Sequence, residues 1–256
     1  MKKKITYIVI FFLFLLLIFL NFKSTRYTAI NYKISEEKIS NYKKIYDFYK
    51  RYNNYKKLTK EISKNLNENE KVIEISKWIF FNIKKANVNT KIVDSHPWVI
   101  VERKIGSQDQ FSDLLSVLLF TENIDSFYIH GQNNIIHPLT YFKLNQKWSV
   151  IDPYYGFYFL NENNNFCSIE EHKTKKCFIH HLNEENIKNI TVSKVLKNKN
   201  LNTVNDLNEY YFTVIEQAPS SNDIENTNIF LRGGRSYIQK PFNRLFYQIQ
   251  KLLNII

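Results

Sequence analysis

The chain has 256 residues, 36 Lys plus Arg against 24 Asp plus Glu, a formal net charge of +12 and 44% hydrophobic residues. With 20 Phe and 17 Tyr but only 5 Gly and 5 Pro, this composition excludes a disordered chain, a collagen-like repeat and a linker, and it fits one globular domain with a small appendage. The Lys, Asn and Ile excess reads as a genome-wide bias and no nucleic-acid-binding module accompanies it, so no nucleic-acid partner is expected.

Lys2, Lys3 and Lys4 precede an uncharged stretch from Ile5 to Phe22. As a helix rising about 1.5 Å per residue, residues 5–22 nearly span a hydrocarbon core of roughly 30 Å and are expected to anchor the chain in a membrane. A cleaved signal peptide is the alternative, but Leu20-Asn21-Phe22-Lys23 lacks the small residues of a cleavage site. The basic flank keeps the N-terminus cytoplasmic and sends the rest of the chain across the membrane. Four regions follow: an anchor (1–23), a helical lead-in (24–68), a folded domain (69–230) and a C-terminal segment (231–256).

From Ser35 to Leu66, Ile39, Tyr42, Ile45, Tyr46, Tyr49 and Tyr52 recur at steps of three and four, and from Glu70 to Ala86 Val72, Ile75, Ile79 and Ile83 do the same. The spacing predicts two helices. Beyond Pro97 a short apolar run, Trp98 to Val101, leads into Gly106 and a third helix with a core face of Phe111, Leu114, Leu115 and Leu118. Strands are predicted at Ser126 to Ile129, in a hairpin of Leu139 to Leu144 with Trp148 to Ile151, and at Phe157 to Leu160 after a turn at Pro153 and Gly156. Helices followed by an antiparallel β meander make an α+β domain. Ser168 with Glu171 is a capping box for a further short helix. Leu231-Arg232-Gly233-Gly234 reads as a turn. From Lys240 to Ile256, Phe242, Leu245, Phe246, Ile249, Leu252, Leu253 and Ile256 share one helical face while Lys240, Arg244 and Lys251 lie off it. This basic amphipathic helix either docks on the domain, the preferred reading, or lies on an anionic membrane surface.

Three places draw attention together: the helix start Gly106-Ser107-Gln108-Asp109-Gln110, His137 at the head of a strand, and Trp148-Ser149-Val150-Ile151-Asp152-Pro153 at the end of the next. From about Ile105 to Gly156 this order resembles the transglutaminase-like branch of the papain-like superfamily. That family places a nucleophilic Cys at a helix N-terminus, a His at the start of one strand and an Asp, usually followed by Pro, on the next. The resemblance implies a transglutaminase-like fold with His137 and Asp152 as catalytic partners and with Gln108, Asp109, Gln110 and Trp148 lining the cleft. The Cys position, however, is Gln108. A carboxamide has no acidic proton to lose and cannot form a thioester, so the family's acyl transfer is excluded.

Ser107 neighbours the vacant place, but adjacent helical residues project about 100 degrees apart, and with Gln110 three residues on it reads as a capping box rather than a nucleophile. Ser112 reads as buried packing. His137 and Asp152 carry two open readings, a retained functional pair or a satisfied structural one. His172, Cys177, His180 and His181 match no standard zinc spacing, so a polar surface turn is expected there, with no metal and no cofactor. Cys167 and Cys177 either form a disulfide suited to an oxidising compartment or remain unpaired. The expected function is a membrane-anchored, extracytoplasmic, catalytically inactive domain that binds a peptide, protein or glycan-linked ligand. Its rival is a hydrolase or amidase using His137 and Asp152 with water or a non-Cys nucleophile.

Overall fold

The computed structural model describes residues 2–30, 33–86, 92–93, 96–129, 137–183, 203–217 and 219–226. The turn expected at Leu231 to Gly234 and the amphipathic helix expected from Lys240 lie outside the described residues. Helix α1 (Lys2–Asn21) is a 20-residue apolar rod about 30 Å long. None of its Lys4–Asn21 stretch is buried by the rest of the chain, and by length and composition it is a candidate membrane span.

The lead-in departs from the helix expected from Ser35. Strands β1 (Lys23–Ile30) and β2 (Lys33–Ser40) form an antiparallel hairpin with Lys23 opposite Ser40. Thr25, Tyr27, Thr28, Ile30, Ile34 and Ile39 are β-branched or aromatic and favour extended backbone. The helix starts only where Ser40 caps it, accepting a hydrogen bond from the Lys43 N–H at 3.2 Å. From there α2 (Asn41–Ile62) runs into α3 (Glu68–Asn82), opened by an Asn67/Glu70 capping box. α3 stops short of the expected Ala86 because Ile83 turns extended and β3 (Lys84–Lys85) pairs in parallel with β5 (Ile105–Gly106). β4 (Ile92–Val93) adds to the outer side of β1. The apolar run at Trp98 is helical, as α4 (Trp98–Arg103).

Helix α5 (Gln108–Thr121) is buried from Phe111 to Thr121. A five-stranded antiparallel sheet follows, with β6 (Ser126–Ile129), β7 (Leu139–Leu144), β8 (Lys147–Asp152), β9 (Phe157–Leu160) and β10 (Phe178–His181) side by side in that order. Asn145 and Gln146, both at positive φ (49° and 63°), make the tight β7–β8 turn. Helix α6 (Ile169–Lys173) interrupts the path from β9 to β10, and α7 (Val204–Glu216) and α8 (Ser221–Asn226) complete the described residues.

The period-2 alternation of the strands divides the interior between the two faces of this sheet. Phe142, Leu144 and Ile151 point toward α5, which α2 and α3 cover with Tyr55, Val72, Ile75 and Ile79. Leu139, Tyr141, Trp148, Val150, Phe157 and Phe159 point the other way, onto Ile169 of α6 and Leu207, Tyr211, Val214 and Ile215 of α7. The region around His180 and His181 is therefore an edge strand rather than a surface turn. His181 is buried, its Nε2 donating to the Tyr155 carbonyl at 3.0 Å while its Nδ1 accepts from the Asn183 N–H at 3.1 Å. The strand forms because Phe178 to His181 can extend the sheet along β9, with Ile179 filling the second core.

Cys167 and Cys177 are disulfide-bonded, with Cα atoms 6.0 Å apart, and the bridge ties the start of α6 to the start of β10. Closing a loop of this size removes about 2 to 3 kcal/mol of unfolded-state entropy. Replacing both cysteines by Ser is expected to lower the unfolding free energy of the full chain in detergent by that amount. Chemical denaturation checks it, and an unchanged midpoint would show that the bridge constrains nothing.

Candidate functional site

His137 stands at the entrance to β7 and Asp152 is the last residue of β8, where register sets Leu139 beside Asp152. Both side chains are fully enclosed, and His137 Nε2 lies 2.5 Å from Asp152 Oδ2. The same oxygen accepts from the Tyr211 hydroxyl at 2.7 Å. The other, Oδ1, accepts from the backbone N–H groups of Tyr154 (3.0 Å) and Tyr155 (2.9 Å). The turn that presents these donors closes with Gly156 N–H on the Asp152 carbonyl and needs φ of +83° at Gly156. A Cβ there would also meet Phe80 at 2.8 Å and His181 at 3.0 Å, so the position is fixed as Gly twice over.

Burial pushes the Asp152 pKa up. The attraction and hydrogen bond of His137 act against it, together with the bonds from Tyr211 and the Tyr155 backbone, and the balance holds the carboxyl below its ordinary value. Burial first, and Asp152 second, raise the phenols of Tyr210 and Tyr211, which stay protonated donors at neutral pH. The other ring nitrogen of His137, Nδ1, meets the Tyr210 hydroxyl at 2.7 Å, so both imidazole nitrogens have a partner. Tyr155 stacks on the His137 ring at 5.7 Å, and the rings of Tyr210 and Tyr211 stand edge-on to it. The Lys85 ammonium lies 5.1 Å from the Tyr154 ring and 5.5 Å from the Tyr155 ring on the outer side.

Gln108 is the first residue of α5. Two hydrogen bonds tie that helix to the head of β7: Ser112 Oγ donates to the Pro138 carbonyl, and Thr140 Oγ1 donates to the Ser112 carbonyl, both at 3.1 Å. Farther along, Ser126 at the start of β6 donates to the Ser116 carbonyl, and it faces Phe142. The helix thus runs parallel to β7, and Gln108, one turn before Ser112 on the same face, belongs to the His137 end of the domain. Its Nε2 is enclosed and has no hydrogen-bond partner among the described residues. Ser107 caps α5: its N–H donates to Gln110 Oε1 at 3.0 Å, and its hydroxyl donates to Asp109 Oδ1 at 2.5 Å. The hydroxyl is therefore engaged with Asp109, not with His137.

The structure brings His137 and Asp152 into contact and ties α5 to the head of β7 through Ser112, one turn after Gln108, with Asp109 and Gln110 engaged in the cap. It does not bring Trp148 there. Four residues back along β8, roughly 13 Å from Asp152, Trp148 is 1% exposed in the second core, its Nε1 donating to Glu225 Oε1 at 2.7 Å. It packs there against the Phe127 ring, centroids 5.1 Å apart. Tyr210 and Tyr211 are the functional residues that sequence reasoning missed; the one signal was Leu207, Tyr211, Val214 and Ile215 at helical spacing. Among the described residues, no three His, Cys, Asp or Glu side chains are placed to share a metal ion.

Fold and site together define a mixed α+β domain behind an apolar N-terminal helix, with a buried His–Asp pair at one end of its sheet. No protein-family model and no curated protein matches the sequence. Among solved structures, a candidate protease from Parabacteroides distasonis ATCC 8503 is similar over 42% of this chain and 25% of that one, at 16% identity and a TM-score of 0.32. A likeness of that extent defines neither a family nor an activity.

Since the folded pKa of Asp152 lies below the unfolded value of about 3.9, its ionisation stabilises the fold above that pH, and the contribution is lost as pH falls through the lower, folded pKa. Thermal melts of the full chain are expected to drop steeply below about pH 4. Asp152→Asn is expected to be less stable at neutral pH and to show a shallower acid limb. Parallel acid limbs in the two proteins would mean that the pair carries no linked stability.

Proposed function

We propose that this is a membrane-anchored, extracytoplasmic domain of transglutaminase-like descent that has lost its nucleophile and binds, without turning over, a peptide, protein or glycan-linked ligand beside the start of α5. The observation that carries the reading is the state of the imidazole. His137 Nε2 is held by Asp152 and Nδ1 by the Tyr210 hydroxyl, so the ring nitrogen that would deprotonate an attacking group already has a partner. A phenol whose pKa is raised by burial and by Asp152 is a poor nucleophile, and Gln108 is none. What the helix start does offer is a hydrogen-bond donor: Gln108 Nε2 has no partner among the described residues, and a ligand carbonyl that opened its way to this enclosed group would satisfy it at a gain of about 1 to 3 kcal/mol. The Cys167–Cys177 bridge suits an oxidising compartment, which supports the extracytoplasmic placement. The Lys2 to Lys4 flank supports the same orientation.

A hydrolase or amidase is the second reading, favoured by the same idle Gln108 donor, which would stabilise an oxyanion while His137 activates water. It requires Tyr210 to leave His137 Nδ1.

Restoring the thiol tests the geometry. In the full chain, Gln108→Cys is expected to label slowly with iodoacetamide. Adding Tyr210→Phe is expected to raise the rate at least tenfold by freeing His137, equivalent to about 1.4 kcal/mol, and His137→Ala is expected to abolish the gain. A thiol equally unreactive in all three backgrounds, or one whose reactivity ignores His137, would contradict the proposed descent.

A further inference from the structure

The exposed face of α2 nearest the anchor is apolar and aromatic where a water-facing helix would be polar. Tyr42, Ile45, Tyr46 and Tyr49, spaced i, i+3, i+4 and i+7, are 64%, 44%, 57% and 48% exposed. They share one face, while Phe48, Tyr55 and Thr59 turn another into the domain. The β1–β2 hairpin carries the chain away from α1 and brings it back. Lys23 opposes Ser40, the Asn41 N–H donates to the Phe22 carbonyl at 2.9 Å, and Asn41 Nδ2 donates to the Phe19 carbonyl at 3.0 Å. The first residue of α2 is thereby bonded to the last turn of the apolar rod, where Phe19 (55% exposed) and Phe22 (65% exposed) are bare as well.

We propose that the Tyr42, Ile45, Tyr46 and Tyr49 face of α2 lies in the headgroup layer of the membrane that holds α1, so that the domain rests on the bilayer in a fixed orientation; this depends on α1 being a membrane anchor. Three features select lipid as the occupant. Tyr and Ile at the mouth of a span form the amphipathic belt that a bilayer interface accommodates, ring in the apolar zone and hydroxyl toward water. From Tyr42 to Tyr49 the stripe runs about 10 Å along the helix, which a tilted α2 can fit into an interfacial layer roughly 5 to 7 Å deep on each side of the core. Past Tyr49 the same face turns polar and basic, with Asn53, Lys56 and Lys60, and α2 as a whole carries seven Lys and Arg against two acids, a charge that anionic headgroups attract.

The full chain reconstituted in vesicles of equimolar phosphatidylcholine and phosphatidylglycerol tests this. The native cysteines are bridged, so a nitroxide attached at Tyr46→Cys reports one position, with Lys57→Cys, about 16 Å farther along α2 and beyond the headgroup layer, as the water reference and Leu13→Cys as a reference inside α1. Relative collision rates with oxygen and with a water-soluble nickel chelate are read at each site. The label at position 46 is expected to favour oxygen over nickel severalfold more than the label at 57, and Tyr42→Cys is expected to behave as 46 does. Equal ratios at 46 and 57 would put the stripe in water, and shielding from both reagents at 46 would put a protein on it; either result overturns the proposal. An α1 label at position 13 that favours nickel would instead overturn the anchor reading, and the docking with it.

Discussion

The buried carboxylate of Asp152 constrains the active end of this domain more than any other group. An ionised carboxyl taken out of water without partners is prohibitively unfavourable, and here the partners come from separate parts of the chain. His137 comes from the head of β7, Tyr211 from α7, and two N–H groups from the turn after β8. Satisfying one charge therefore fixes the approach of β7 to β8, the tight turn through Gly156 and the seating of α7 on the sheet. The pair is a structural keystone, and under the proposed descent the same hydrogen bonds would once have served catalysis.

That sharing explains why a domain without a nucleophile would keep the pair. Removing His137 or Asp152 alone would leave the other buried without its partner, at a cost of about 1 to 3 kcal/mol. The nucleophile is under no such constraint. The position at the start of α5 heads a helix whose packing is settled further along by Phe111, Leu114 and Ser112, so under the proposed descent Gln108 could stand there without disturbing the fold. Tyr210 occupies the second imidazole nitrogen, the one that a thiol at the start of α5 would need under the proposal.

Much of this was legible in the sequence because it is written in local patterns. The 3.6-residue period announced α3 and α5, the period-2 runs announced β6 to β9, and Ser168 with Glu171 announced α6. His137 and Asp152 stood out through a motif that spans one hairpin. The errors have a common source in long-range pairing. Ser35 to Ser40 reads as helix by periodicity, yet β1, which favours extended backbone, recruits it into a hairpin. His180 and His181 look like a polar turn until β9 supplies an edge to pair with. Tyr210 and Tyr211 lie 73 and 59 residues from the groups they bond, His137 and Asp152, and no spacing rule reaches that far. Trp148 matched its motif position and shares a face of β8 with Asp152, but it lies four residues back along the strand, where α7 and α8 enclose it in a core that the motif does not encode.

The central claim is that the His137–Asp152 pair is retained without turnover. The most direct measurement is intact-protein mass spectrometry of the full chain after incubation with activated esters and peptide amides, alongside product detection. The account predicts no covalent adduct and no product above the level given by His137→Ala. A stoichiometric acyl adduct, or product formation that His137→Ala abolishes, would contradict it and establish a working enzyme in its place.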